Sequence, residues 1–165
     1  MIKKILIIGG AGYVGTELTK LLLNENYEVT IYDLFIYGDN FINQKNLKKI
    51  VGDIRNLKKL KEIVKNHDAI IHLACISNDP SFDLNPELGR SINFDPFEEL
   101  IKISKDSQVK RFIYASSSSV YGIKKEKDVS EDMSLEPLTD YSKYKVMCEE
   151  ILLKNNTKEF TCCIL

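Results

Sequence analysis

Apolar residues in this chain fall into short dense runs, separated by stretches where they recur every three or four positions. Ile2 to Ile8 is nearly unbroken and β-branched and ends in glycines, which predicts a strand buried on both faces of a parallel sheet. Val14, Leu18, Leu21 and Leu22 follow at helical spacing, predicting a helix that packs on that sheet. Asn24-Glu25-Asn26 punctuates it, and Tyr27 to Tyr32 reads as a second strand ending at Asp33. A loop rich in Gly38, Asp39, Asn40 and Asn43 comes next. Leu47 to Val51 is a third strand, Asn56 to Lys65 a helix with Leu57, Leu60 and Val64 on one face, and Ala69 to Leu73 a fourth strand. Pro86 suits a first helical turn. Pro96 falls within a helical stretch running to about Ser107, so that helix should break or restart there. Arg111 to Ala115 is strand five, Thr139 to Lys154 a helix and Phe160 to Leu165 strand six. Alternating strand and helix predicts an α/β fold with a doubly wound parallel sheet, one domain over residues 1–165. The chain stops at Leu165 inside an apolar run, so the domain is expected to be truncated after strand six.

Composition narrows the function classes. With 23 Lys+Arg against 24 Asp+Glu the net charge is -1, so no global field draws the chain to nucleic acid or a membrane surface. The Lys48-Lys49 and Lys124-Lys125 pairs read as solvated surface. No apolar run approaches the length of a bilayer span, and Met1-Ile2-Lys3-Lys4 lacks a signal-peptide layout; a cytoplasmic protein is expected. Cys75, Cys148, Cys162 and Cys163 show no metal-ligand spacing and read as reduced, buried thiols, with no metal site.

The first candidate chemistry lies at the front. Gly9-Gly10-Ala11-Gly12-Tyr13-Val14-Gly15 joins a strand to an amphipathic helix, the order that presents free N–H groups and a helix N-terminus to a dinucleotide pyrophosphate. Gly9 permits the tight turn, Gly12 close approach of the phosphates, and Gly15 close packing of helix on strand. Asp33, at the end of strand two, is placed to accept both ribose hydroxyls of adenosine and to repel a 2′-phosphate, which favours NAD over NADP. Asp53 in Gly52-Asp53-Ile54-Arg55 is placed to accept from the adenine amino group, with Ile54 covering the ring.

The second lies near the end. Tyr141 and Lys145 are at i and i+4 and share a helix face, which Cys148 and Leu152 continue toward the sheet. A tyrosine titrates near pH 10, and a neighbouring ammonium helped by a positive nicotinamide ring can stabilise the phenolate; lowering that value by about 3 takes about 4 kcal/mol. Tyr141 then takes a proton from a substrate hydroxyl while the carbon passes hydride to the cofactor. Ser116-Ser117-Ser118-Ser119 leaves strand five and offers a hydroxyl to the same substrate oxygen.

Together these residues resemble the extended short-chain dehydrogenase/reductase family, in its nucleotide-sugar epimerase/dehydratase branch. The landmarks run in order through Gly9 to Gly15, Asp33, Asp53-Ile54, His72-Leu73-Ala74, Asn93, Ser116 to Gly122 and Tyr141 to Lys145. The resemblance implies a Rossmann-type sheet, tightly bound NAD and a Ser117/Tyr141/Lys145 triad, with Lys145 also binding the nicotinamide ribose. It places Tyr13 and Val14 under the pyrophosphate, Leu73 to Ser77 (Leu73, Ala74 and Cys75 foremost) along the cofactor, and Asn93 and Ser116 near it; His72 is read as packing. It implies a nucleotide-sugar substrate and a UDP-glucose 4-epimerase-like reaction, in which the keto-sugar turns over in the pocket and NAD is regenerated. Ser118 and Ser119 replace the Asp-Glu that 4,6-dehydratases carry, which disfavours dehydration and the related decarboxylation. Another nucleotide-sugar oxidoreductase or dehydratase, or a non-catalytic NAD-binding module, is the alternative. Relatives are about twice as long, with a C-terminal substrate domain absent here, so the 165 residues alone are expected to turn over little or nothing. Relatives pair through the helices around Asn93 and Tyr141, which leaves a homodimer open.

Overall fold

Six strands form one parallel sheet: β1 (Lys4–Ile8), β2 (Glu28–Asp33), β3 (Leu47–Val51), β4 (Ala69–His72), β5 (Arg111–Tyr114) and β6 (Thr161–Ile164). Their order across the sheet is β3-β2-β1-β4-β5-β6, so the crossover reverses between β1 and β4. The helices are α1 (Tyr13–Asn24), α2 (Leu57–Ile63), α3 (Asp79–Asp83), α4 (Pro86–Asn93), α5 (Phe97–Asp106) and α6 (Asp140–Asn155). This computed structural model describes residues 1–41 and 43–165.

The unbroken apolar run of β1 has a direct cause. Successive side chains point to opposite faces, and both faces are covered. Leu6 and Ile8 join Tyr32, Ile70 and Phe112 in a core with residues of α2, α5 and α6. Ile5 and Ile7 join Val29, Ile31 and Ile71 in a second core that includes Leu23 of α1. Asn56 caps α2 by accepting from the Lys59 N–H, and Thr139 and Ser142 form a reciprocal capping box that starts α6. The expected break at Pro96 is present: α4 ends at Asn93 and Pro96 caps α5.

Three expectations need correction. Val14 and Leu21 do not pack on the sheet; they are 60% and 63% exposed. Leu18 and Leu22 do pack against the sheet, and the fully buried positions of α1 are Gly15, Thr19 and Leu23, because the helix approaches closest where Gly15 touches the backbone of Gly10. The thiols are not uniformly buried: Cys148 is, Cys75 and Cys162 are half-buried and Cys163 is exposed, all four free. Lys49 and Lys124 are not simply solvated, since their Nζ atoms lie 2.7 Å from Asp39 and 2.6 Å from Glu136. No described helix is long and apolar enough to cross a membrane.

His72 closes β4 in a fully buried aromatic nest of Phe97, Phe112 and Tyr114. Burial, reinforced by the Lys145 charge, drives its pKa down to about 3. The unfolded imidazole titrates near 6.5, so the unfolded chain binds the extra proton first as pH falls. Stability contributed at neutral pH is therefore lost from pH 6.5 downward, by about 1.4 kcal/mol per pH unit, until His72 itself protonates near pH 3. Urea unfolding should show about 2 kcal/mol less stability at pH 5 than at pH 7 from this group. The His72→Leu variant should have a visibly flatter profile; an equally steep one would refute the assignment.

Candidate active site

Two adjoining hollows open at the C-terminal edge of the sheet, beside the point where the strand order reverses. One, of about 300 Å³, is walled by Asp33, Tyr37, Gly52, Ile54 and Ala74 among others. The second, of about 740 Å³, is walled by Tyr13, Val14, Gly15, Ser116, Tyr141 and Lys145. Gly9, Gly12, Leu73 and Cys75 border both. Such a crevice is where ligands of open α/β sheets collect.

The glycine turn is built for close approach. Gly9 has φ +86°, and a Cβ there would lie 2.4 Å from the Ala74 backbone nitrogen. Its N–H donates to the Tyr32 carbonyl at 2.9 Å. Gly12 is different: the nearest atom to its missing side chain is the Gly9 oxygen, at 3.5 Å, so nothing in the protein demands a glycine there. The Thr16 N–H makes the first backbone bond of α1, to Gly12 O. The N–H groups of Tyr13, Val14 and Gly15 find no acceptor among the described residues, and the side chains of Tyr13 and Val14 are exposed. Open space above Gly12 and unspent donors at a helix N-terminus fit a diphosphate.

Asp33 also holds the turn together. Its Oδ2 accepts the Ala11 N–H at 3.0 Å and its Oδ1 the Phe35 N–H at 2.8 Å. Replacing it with Ala should cost about 1–3 kcal/mol in urea unfolding, since two backbone donors lose a charged acceptor. A neutral result would show that water replaces it freely.

The other predicted residues are distributed less simply. The Asp53 carboxylate is engaged by the Arg55 guanidinium, whose hydrogen bonds hold it below the usual carboxylate range, while Gly52 and Ile54 on either side face the crevice. Asn93 spends its amide on the backbone of Ile76, accepting from its N–H at 2.8 Å and donating to its C=O at 3.0 Å. It braces the loop after β4. The Ser116 hydroxyl turns inward to Glu149, although Ser116 itself borders the crevice. Ser117 Oγ lies 2.9 Å from Ser119 Oγ and accepts from the Ser119 N–H.

Tyr141 and Lys145 do share a buried face of α6 with Cys148 and Leu152. Their electrostatics differ from the simple expectation. Burial first, and then Cys75, hold the Tyr141 phenol above its ordinary value; the Ser117 hydroxyl and the Asn78 backbone N–H pull the other way. Lys145, 4% exposed, donates from Nζ to the Ala115 carbonyl at 2.6 Å and lies 4.7 Å from the centre of the Tyr114 ring. It is 5.7 Å from the centre of the Tyr141 ring. The ammonium is thus aimed at a carbonyl of β5's exit, and the phenol is neutral in the chain by itself.

Sequence reasoning missed several groups here. Tyr37, exposed in the loop after β2, borders both hollows, and the Asn78 N–H and Ala115 carbonyl address Tyr141 and Lys145. Backbone groups have no signature in side-chain identity, and Tyr37 sits in a loop without periodicity.

Known proteins resemble this chain in sequence and in fold. A UDP-glucose 4-epimerase of Lactobacillus helveticus is 30% identical over 151 residues, covering 90% of this chain and 46% of that relative. The solved structure of the UDP-Glc/GlcNAc 4-epimerase from Campylobacter jejuni superposes with a TM-score of 0.91 at 28% identity, over 98% of this chain and 52% of that one. MoeE5, solved in complex with UDP-glucuronic acid and NAD, superposes with a TM-score of 0.84 at 28% identity, over 98% of this chain and 53% of that one. The chain therefore spans about half the length of the relatives it matches. The family model described as NAD dependent epimerase/dehydratase matches residues 5–165, nearly every position, and the chain belongs to that family.

Proposed function

We propose that this chain is the NAD-binding part of a nucleotide-sugar 4-epimerase in which Tyr141 is the acid/base and Ser117 and Lys145 are its partners. The observation that carries the reading is the meeting of two motifs distant in sequence. The glycine turn and the Tyr141–Lys145 face wall the same hollow of about 740 Å³. A ligand shared between them accounts for both.

In this reading Gly9, Gly12, Tyr13, Val14 and Gly15 receive the pyrophosphate and Asp33 the adenosine ribose. Asp53 and Ile54 lie toward the adenine, Leu73, Ala74 and Cys75 along the crevice, and Lys145 toward the nicotinamide ribose. Asn93 and Ser116 support these contacts from behind. NAD, when bound, supplies an electron-pair acceptor that is restored within each turnover. Tyr141 takes the proton of the sugar hydroxyl, holds it while that carbon is a ketone, and returns it after the sugar has turned over. Ser117 donates a hydrogen bond to the same oxygen and fixes its position. Burial raises the pKa of the Tyr141 phenol, and the positive charge of an oxidised cofactor bound beside it would oppose that rise. The relatives' UDP-sugars support a nucleoside diphosphate sugar as substrate.

The test is an NADH and NADPH titration by fluorescence, followed by assay of UDP-glucose and UDP-galactose interconversion with the full-length protein. NADH is expected to bind about tenfold or more tighter than NADPH, since the Asp33 carboxylate at the wall of the hollow would repel a 2′-phosphate. The 165 residues alone should bind and turn over little or nothing. A folded sample with no affinity for either dinucleotide would overturn the reading.

A further inference from the structure

Helix α6 carries a buried carboxylate that this chemistry does not use. Glu149 is 9% exposed and lies one turn beyond Lys145 and two beyond Tyr141, on the same helix face. It accepts the hydroxyl hydrogen of Ser116. Ser116 follows Ala115, whose carbonyl accepts the Lys145 ammonium at 2.6 Å. The two hydrogen bonds close a ring that runs from Lys145 through Ala115 and Ser116 to Glu149 and back along one turn of α6.

An ammonium as buried as that of Lys145 is costly without a counter-charge. Several groups face it. Tyr141, Cys148 and Glu149 come from α6, Cys75 from the loop after β4, Tyr114 from β5 and His72 from β4. Among these Glu149 is the carboxylate. On the reading of Tyr141 and Lys145 given above, we propose that Glu149 is a positioning residue for that pair. By clamping Ser116 it fixes the Ala115 carbonyl that aims the ammonium, and it balances the ammonium's charge inside the protein. The balance of forces at Lys145 agrees: burial lowers its proton affinity, and Cys75, Cys148 and Glu149 oppose that effect.

A purely structural Glu149 would do no more than tie α6 to the exit of β5. Glu149→Gln separates the two roles, because the amide oxygen still accepts from Ser116 while the charge is gone. The measurement is the NMR titration of the Lys145 side chain in protein carrying ¹³C- and ¹⁵N-labelled lysine. In Glu149→Gln the midpoint should fall, giving about a tenfold larger neutral fraction at a given pH below it. Glu149→Met, which keeps the bulk and removes the charge, should lower the midpoint in the same direction. An unchanged Lys145 titration in folded Glu149→Gln overturns the proposal. Where Glu149→Gln does not fold, the Glu149→Met midpoint decides, its fall supporting the proposal and its constancy overturning it. NADH titration of the same unsubstituted sample reports on the functional reading separately: loss of binding there would leave the Lys145–Glu149 coupling still readable.

Discussion

Replacing Tyr141 with Phe in the full-length protein should lower turnover by about 10²–10⁴-fold, the range expected when a positioned acid/base is removed. NADH affinity should stay within about threefold, which corresponds to about 0.6 kcal/mol. The ring explains the second half. It packs edge-on against Phe82, with centroids 6.2 Å apart, and that contact does not involve the hydroxyl. The hydroxyl explains the first half, since Ser117 and the Asn78 N–H are the polar groups directed at it. Burial holds the phenol protonated, so turnover of the unsubstituted protein should rise with pH below the phenol's own titration, and the Phe variant should lack that limb. Retained turnover in the Phe variant would place the proton elsewhere.

The glycine turn yields a contrast of similar size. Gly9→Ala should destabilise the fold by about 3 kcal/mol or more: a positive φ strains any L side chain by about 1–2 kcal/mol, and backbone must also move. The new Cβ would stand 2.4 Å from the Ala74 nitrogen, and that atom is fixed by its bond to Ile8 O at 2.9 Å. Gly12→Ala should leave stability within about 1 kcal/mol, since its φ of -75° is ordinary and its side-chain direction is open. Its effect should fall on the ligand, with NADH binding weaker by about 100-fold, or about 2.7 kcal/mol. Urea unfolding and NADH titration of the two variants check both halves. If Gly12→Ala unfolds the chain and leaves binding alone, the turn has been misread.

The strands were legible because β1, β2 and β4 are buried on both faces, and an uninterrupted apolar run has few other uses. The face of α1 was legible only in part: Leu18 and Leu22 pack as their spacing predicts, but the closest contacts come from Gly15 and Thr19, which carry no hydrophobic signal. Helix α3, five residues long, and the 3₁₀ turn at Ser118–Tyr121 are too short for periodicity to register. Asn78 starts α3 from φ +70°, which its side chain supports by accepting the Ser81 N–H, and no spacing rule announces that. At the site, i and i+4 spacing placed Tyr141 and Lys145 on one face, because helix geometry alone decides that. Where the ammonium points is another matter. It depends on the Ala115 carbonyl, supplied by a different element, and on Glu149, an acid on a face that reads as apolar.

Asp33 carries a consequence for anyone wishing to retune coenzyme choice. On the proposed reading, the oxygens that would confront a ribose are the ones tethering Ala11 and Phe35, so discrimination and architecture would fall to one side chain. An amide at that position has a single acceptor oxygen for two tethers. A redesign toward the phosphorylated coenzyme must therefore begin by re-anchoring residues 11 and 35, and only then add a cation nearby.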